Sequence, residues 1–120
     1  MKVKELNHVA IQVENVEKSI FFYENVLKLE RLPRPAFDFE GAWFALGGYQ
    51  QLHIIEGRTT EVVNARRGAH FALSVDSVEE FRAALDKHEV QYFPPKPRPD
   101  GVIQLFLIDP DGYYIELAEY

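Results

Sequence analysis

The chain carries one pattern twice. His8-Val9-Ala10-Ile11-Gln12-Val13-Glu14-Asn15-Val16-Glu17 returns as His70-Phe71-Ala72-Leu73-Ser74-Val75-Asp76-Ser77-Val78-Glu79, an offset of 62 residues (70 − 8). A second echo follows near the end of each half. Leu52-His53-Ile54-Ile55-Glu56 matches Ile115-Glu116-Leu117-Ala118-Glu119, at an offset of 63 (116 − 53). Two copies of one supersecondary unit fit in 120 residues, and each is too small to bury both faces of its own sheet. The repeat pairs His8 with His70, and His53 with Glu116.

Each copy reads in the same order. Residues 6–13 alternate as a strand does, with Val9, Ile11 and Val13 on one side and His8, Ala10 and Gln12 on the other. A helix is expected from about 16 to 27, with Asn15 as N-cap and Ile20, Tyr23, Val26 and Leu27 as its apolar stripe. Pro33 and Pro35 mark a loop, and strands are expected near 36–39, 42–46 and 50–56. The polar stretch 57–68 reads as the connection between the copies. A strand at 69–75 then sets His70, Ala72 and Ser74 opposite Phe71, Leu73 and Val75. Ser77 with Glu80 three residues on forms a capping box for a second helix bearing Phe81, Ala84 and Leu85. A short strand at 90–93 precedes Pro94 to Pro99, read as a stiff exposed loop. A hairpin, 102–108 and 113–119, turns on Asp109-Pro110-Asp111-Gly112. The expectation is an α+β fold in a single domain, 1–120. It contains two βαβββ modules, about 1–58 and 68–120, related by a pseudo-twofold axis. Their helix-free sheet faces would line a cleft.

Composition removes several function classes. The net charge of −6 disfavours a phosphate-backbone partner, so no nucleic acid is expected. No apolar run approaches the roughly 20 residues of a membrane helix, and the polar start Met1-Lys2-Val3-Lys4-Glu5 does not read as a signal peptide. A cytoplasmic protein is the expectation. With no cysteine, any metal would be held by His, Asp or Glu.

Strand parity turns His8, His53, His70 and Glu116 toward the helix-free faces. A glutamate in an apolar strand is costly to bury unless it is paired or bound to metal. Imidazole and carboxylate donors suit one divalent Zn, Ni, Co, Mn or Fe ion per chain better than calcium. Glu116 and His53 are the candidate proton acceptors. Gln12, Gln51, Ser74, Gln104, Tyr114 and Arg98 are candidates to contact substrate, and Lys96 and Arg98 would suit an anionic one. His88, at a helix C-terminus, reads as a surface residue complementing the dipole. Trp43, Phe37, Phe39 and Phe44 read as core.

Four stretches together resemble the vicinal oxygen chelate superfamily. They are Asn7 to Val13; Ser19 to Tyr23 with Leu27; Gly68 to Val75; and Asp109 to Leu117. That superfamily contains glyoxalase I, extradiol dioxygenases, fosfomycin-resistance enzymes and bleomycin-resistance proteins. The resemblance implies paired βαβββ modules, a divalent metal, a small-molecule substrate and a homodimer. It places metal ligands at His8, His70 and Glu116. The fourth ligand of glyoxalase-type members, normally a Glu that also serves as proton-transfer base, falls on the imidazole of His53. The reading put first is a metal-dependent lyase or isomerase of the glyoxalase type. A fosfomycin-type thiol transferase and an extradiol-type dioxygenase, for which His8, His70 and Glu116 would form the facial triad, are alternatives. A metal-free drug-binding protein is the reading outside enzymes.

Overall fold

The computed structural model describes residues 1–120. The chain divides into two compact units, Met1–Thr59 and Thr60–Tyr120. In the first, β1 (His8–Val13) leads into α1 (Val16–Phe21), and β2 (Arg31–Leu32), β3 (Gly41–Ala45) and β4 (Gln51–Glu56) follow. The second repeats the order as β5 (Phe71–Ser74), α2 (Val78–Lys87), β6 (Tyr92–Pro97), β7 (Ile103–Ile108) and β8 (Tyr114–Ala118). The sheets run β1-β4-β3-β2 and β5-β8-β7-β6. In each, the first strand pairs parallel with the last and the remaining pairings are antiparallel. Two βαβββ modules of an α+β fold are therefore present, as the repeat implies.

A parallel pair needs a crossover, and each module makes it with its helix. Asn15 Oδ1 accepts from the Lys18 amide (3.0 Å) and Ser77 Oγ from the Glu80 amide (3.3 Å), so both expected N-caps are in place. Glu119, beyond β8, accepts from the Val78 amide (3.0 Å) and satisfies another free N–H at the start of α2. α1 packs on β3 and β4, and α2 on β7. Under α1 lie Ile11, Val13, Ala42, Phe44, Leu52 and Ile54, with Tyr23, Val26 and Leu27 from the helix side. Under α2 lie Leu105, Leu107, Ile115 and Leu117, with Val78 and Leu85. The opposite strand parity, bearing His8, Trp43, His53, His70 and Phe106, is left to the other face of each sheet.

The structure corrects several expectations. α1 does not stay α-helical to residue 27. A π-helical turn, Phe22–Val26, closes with Leu27 N–H donating to the Phe22 carbonyl (3.1 Å), and it buries Phe22 beside the expected stripe. Residues 36–39 form no strand. Phe37 and Phe39 instead stack on each other (5.0 Å) beneath the Arg34 guanidinium, and the short edge strand lies earlier, at β2. The Pro-rich segment is not a loop but most of β6. It sits at the sheet edge, where missing amides do no harm, and a register shift between Phe93 and Lys96 absorbs Pro94-Pro95. Of the four aromatics read as core, only Phe44 is buried there; Phe37 is 45% exposed and Trp43 faces the other side. The Asp109 turn holds as expected, its Oδ1 accepting from Asp111 and Tyr113 amides.

Gly41 starts β3 where a Cβ would sit 2.2 Å from the Ile54 carbonyl oxygen. Gly41→Ala must therefore push β3 off β4, and urea unfolding is expected to show a loss of about 1–3 kcal/mol. Ser77→Ala, which removes only the α2 cap, should lose about 1 kcal/mol in the same measurement.

Candidate metal and substrate site

Cross-strand register builds the site in each unit. In the first, Ala10 on β1 and Trp43 on β3 are both opposite His53 on β4, and His8 is opposite Gln51. The indole and the His53 imidazole are almost coplanar in stacking, 4.1 Å apart at 5°, and His8 stacks on the other side at 4.2 Å and 17°. His53 is thus sandwiched between two rings. Its Nε2 donates to Gln51 Oε1 (2.8 Å), while His8 Nδ1 donates to Asn7 Oδ1 (2.8 Å). Burial, first, and then the charges of His8 and Arg34 lower the His53 pKa below the usual histidine value.

In the second unit, Ala72 and Phe106 flank Glu116 on β8. Glu116 is 7% exposed. His70, just before β5, meets it with Nε2 3.2 Å from Oε2. The Gly68 carbonyl lies 3.0 Å from His70 Nδ1 and can only accept, so the ring proton belongs on Nδ1. That directs Nε2 at a carboxylate oxygen, and the contact is an ion pair when the ring carries a second proton and a pair of donor atoms for a cation when it does not. Donors that share one ion at right angles, with bonds of about 2.0–2.2 Å, stand about 3 Å apart. An N–H anchored on a backbone carbonyl is also how metal-bound imidazoles are oriented. The His70–Glu116 pair fits a divalent transition metal on these grounds. The His8–His53 pair meets through ring faces; imidazole lone pairs lie in the ring plane, so as arranged it is a stack and not a chelating bite. No group of three or more His, Asp or Glu side chains is assembled in this structure.

A cavity of about 560 Å³ opens within the second unit beside this pair. His70, Glu116, Phe106, Gln104, Arg98 and Arg66 are among its lining residues. Arg98 bonds to Asp100 and to the Tyr120 hydroxyl and lies 3.8 Å from Glu116 Oε1. Of the substrate candidates, Gln104 and Arg98 reach this cavity. Ser74 is exposed on β5, and the Tyr114 ring leans toward Phe93 (6.0 Å). In the first unit, Gln51 is the partner of His53, and Gln12 donates to the Glu56 carbonyl (3.1 Å), joining the ends of β1 and β4. Sequence reasoning missed Trp43 and Phe106 as site residues. The repeat offset of 63 (106 − 43) relates them and could have exposed them. Arg66, set aside as connecting segment, was missed as well; no spacing signal marks it.

Fold and site define a class: a two-module βαβββ protein with an imidazole–carboxylate pair on a helix-free sheet face. The model of the Glyoxalase/Bleomycin resistance protein/Dioxygenase superfamily matches residues 5–117, and the chain belongs to that superfamily, whose fold is the vicinal oxygen chelate fold. Among its relatives, the lactoylglutathione lyase of Salmonella typhimurium is 30% identical, across 95% of this chain and 91% of that protein. The metallothiol transferase FosB of Lysinibacillus sphaericus is 28% identical, across 97% and 82%. A solved glyoxalase family protein from Enterococcus faecalis superposes with a TM-score of 0.76 at 30% identity, covering 97% of this chain and 98% of that one. No helix is long and apolar enough to cross a membrane.

The lowered His53 pKa has a signed consequence. The unfolded chain takes up the proton near pH 6.5, before the folded one does, so this residue's contribution to stability is intact above pH 6.5 and declines as pH falls below it. Trp43 is the only tryptophan and lies on the His53 ring. In metal-stripped protein its fluorescence should titrate with a midpoint below 6.5, and His53→Gln should abolish that transition.

Proposed function

We propose that this protein is a divalent-metal-dependent enzyme of the glyoxalase type, chelating adjacent oxygens of a small substrate for isomerisation or lyase chemistry. One observation carries the reading: His70, fixed by the Gly68 carbonyl, directs its Nε2 at the buried Glu116 carboxylate, 3.2 Å away. His70 and Glu116 would hold the ion; His8 and His53, the other donors named from the sequence, form a ring stack as arranged and offer it no bite. An ion bound there supplies Lewis acidity toward adjacent substrate oxygens.

The chain's own groups supply the rest. Glu116 is the carboxylate available to accept a proton, with Arg98 near its second oxygen balancing its charge. Phe106, edge-on to His70 at 5.1 Å, packs against one side of that imidazole and restricts its rotation. His53, kept neutral by its surroundings near pH 7, is a second acceptor, and the indole behind it fixes its ring plane. The superfamily match and the lyase relative support this reading. The FosB relative supports thiol transfer to an epoxide as the second reaction to test. The proposed assembly is a homodimer, which the superfamily resemblance suggests for a chain of this size.

Elemental mass spectrometry on protein purified without chelator should find about one transition-metal ion per chain. His70→Ala and Glu116→Ala should each weaken retention by at least the 10–100-fold known for outer-shell changes. His8→Ala should weaken it less. Isomerisation of a 2-oxoaldehyde–glutathione adduct, or reaction of an epoxide–thiol pair, then separates the two reactions. Absence of metal after reconstitution would sink the enzyme reading in favour of a metal-free drug- or metabolite-binding protein.

A further inference from the structure

The cavity of the second unit is lined by four cations, Arg66, Arg67, Lys96 and Arg98, against a single carboxylate, Glu116. This concentration runs against a chain whose net charge is −6. Arg98 is committed to Asp100 and Tyr120. The other three have no such commitment: no carboxylate pairs with Arg66, Arg67 or Lys96. Arg66 and Arg67 come from the segment before β5, and Lys96 from β6, so two separate parts of the unit bring charge to one concavity. The Arg66 guanidinium is seated 4.2 Å from the centroid of Phe93, itself a lining residue, which limits its freedom before anything binds. Like charges gathered without counter-charge repel one another, and an anion relieves that repulsion. Guanidinium forks match the paired oxygens of carboxylate and phosphoryl groups.

We infer that the cavity selects organic anions: the substrate carries a carboxylate or phosphoryl group that Arg66, Arg67 and Lys96 bind while its reacting oxygens meet His70 and Glu116. The inference rests on the metalloenzyme reading for the second half of that statement, but the anion subsite itself needs no metal. Gln104, opposite Lys96 in the β6–β7 register, adds a neutral hydrogen-bonding group to the same lining.

The test uses metal-stripped protein at low ionic strength, because the probes themselves chelate metal and salt screens exposed charge. Inorganic phosphate and malonate are titrated against the full chain by amide NMR, with malonamide as the uncharged control. Both anions should give saturable shifts confined to residues 65–70 and 93–106. Arg66→Ala/Arg67→Ala should weaken binding about tenfold or more, as loss of charge-assisted hydrogen bonds does. Lys2→Ala/Lys4→Ala, with the same charge change at the N-terminus, should leave it unaltered. Tighter malonate binding assigns the group to a carboxylate, and tighter phosphate binding to a phosphoryl. Non-saturating shifts, equal weakening in both double variants, or malonamide binding as tightly as malonate would overturn the inference. Metal content is measured separately. Anion binding without metal uptake would overturn the enzyme reading alone, and metal uptake without anion binding the subsite alone.

Discussion

The parallel pairing of each module's first strand with its last is the constraint on which everything else rests. Two adjacent parallel strands cannot be joined by a turn, so the helix and two intervening strands must be fitted between them. The helix covers one face, which fixes the apolar parity of β1, β3 and β4 in one unit and of β5, β7 and β8 in the other. The remaining parity is released for chemistry. Register then does the selection, setting Ala10 and Trp43 against His53, and Ala72 and Phe106 against Glu116. Residues about 45 apart in sequence become neighbours on one face through this pairing alone.

Much of that was legible in the letters because strands alternate with a period of two and the chain repeats itself. Val9, Ile11 and Val13 against His8, Ala10 and Gln12 announce β1, and the burial pattern agrees. Asn15 and Ser77 announce helix starts because their side chains must serve free amides. What the letters concealed has local physical causes. Phe37 and Phe39 are good strand formers, yet Arg34 gives them a cation to stack against, and they make an aromatic cluster in a loop. Pro94-Pro95 reads as a strand breaker, but an edge strand needs amides on only one side and a register shift removes the conflict.

The site divides in the same way. His70 and Glu116 could be named from their positions in the repeat, whereas the Nδ1 bond to Gly68 that aims the His70 ring depends on a backbone carbonyl that no residue type encodes. Trp43 looked like core because large aromatics usually are; strand parity places it on the opposite face, beside His53. Arg66 and Arg67 belong to a segment without periodicity, so only the folded chain shows that they meet Lys96. The repeat has also diverged in chemistry. At its two equivalent positions stand a neutral imidazole between rings and a carboxylate beside an arginine, so the first unit offers stacking and the second offers charge.

Strand β8 serves two neighbours at once. Glu116 presents its carboxylate to His70 on one face, and three residues later Glu119 turns the other way to hold the first amide of α2. An odd spacing in a strand always reverses the side chain, so both attachments hold only in one alignment of β8 with β5 and β7. A slip by one residue would detach the helix and turn the Glu116 carboxylate away from His70 together. This strand is therefore keyed like a two-toothed bolt: the tooth that secures the scaffold also guarantees where the Glu116 carboxylate stands.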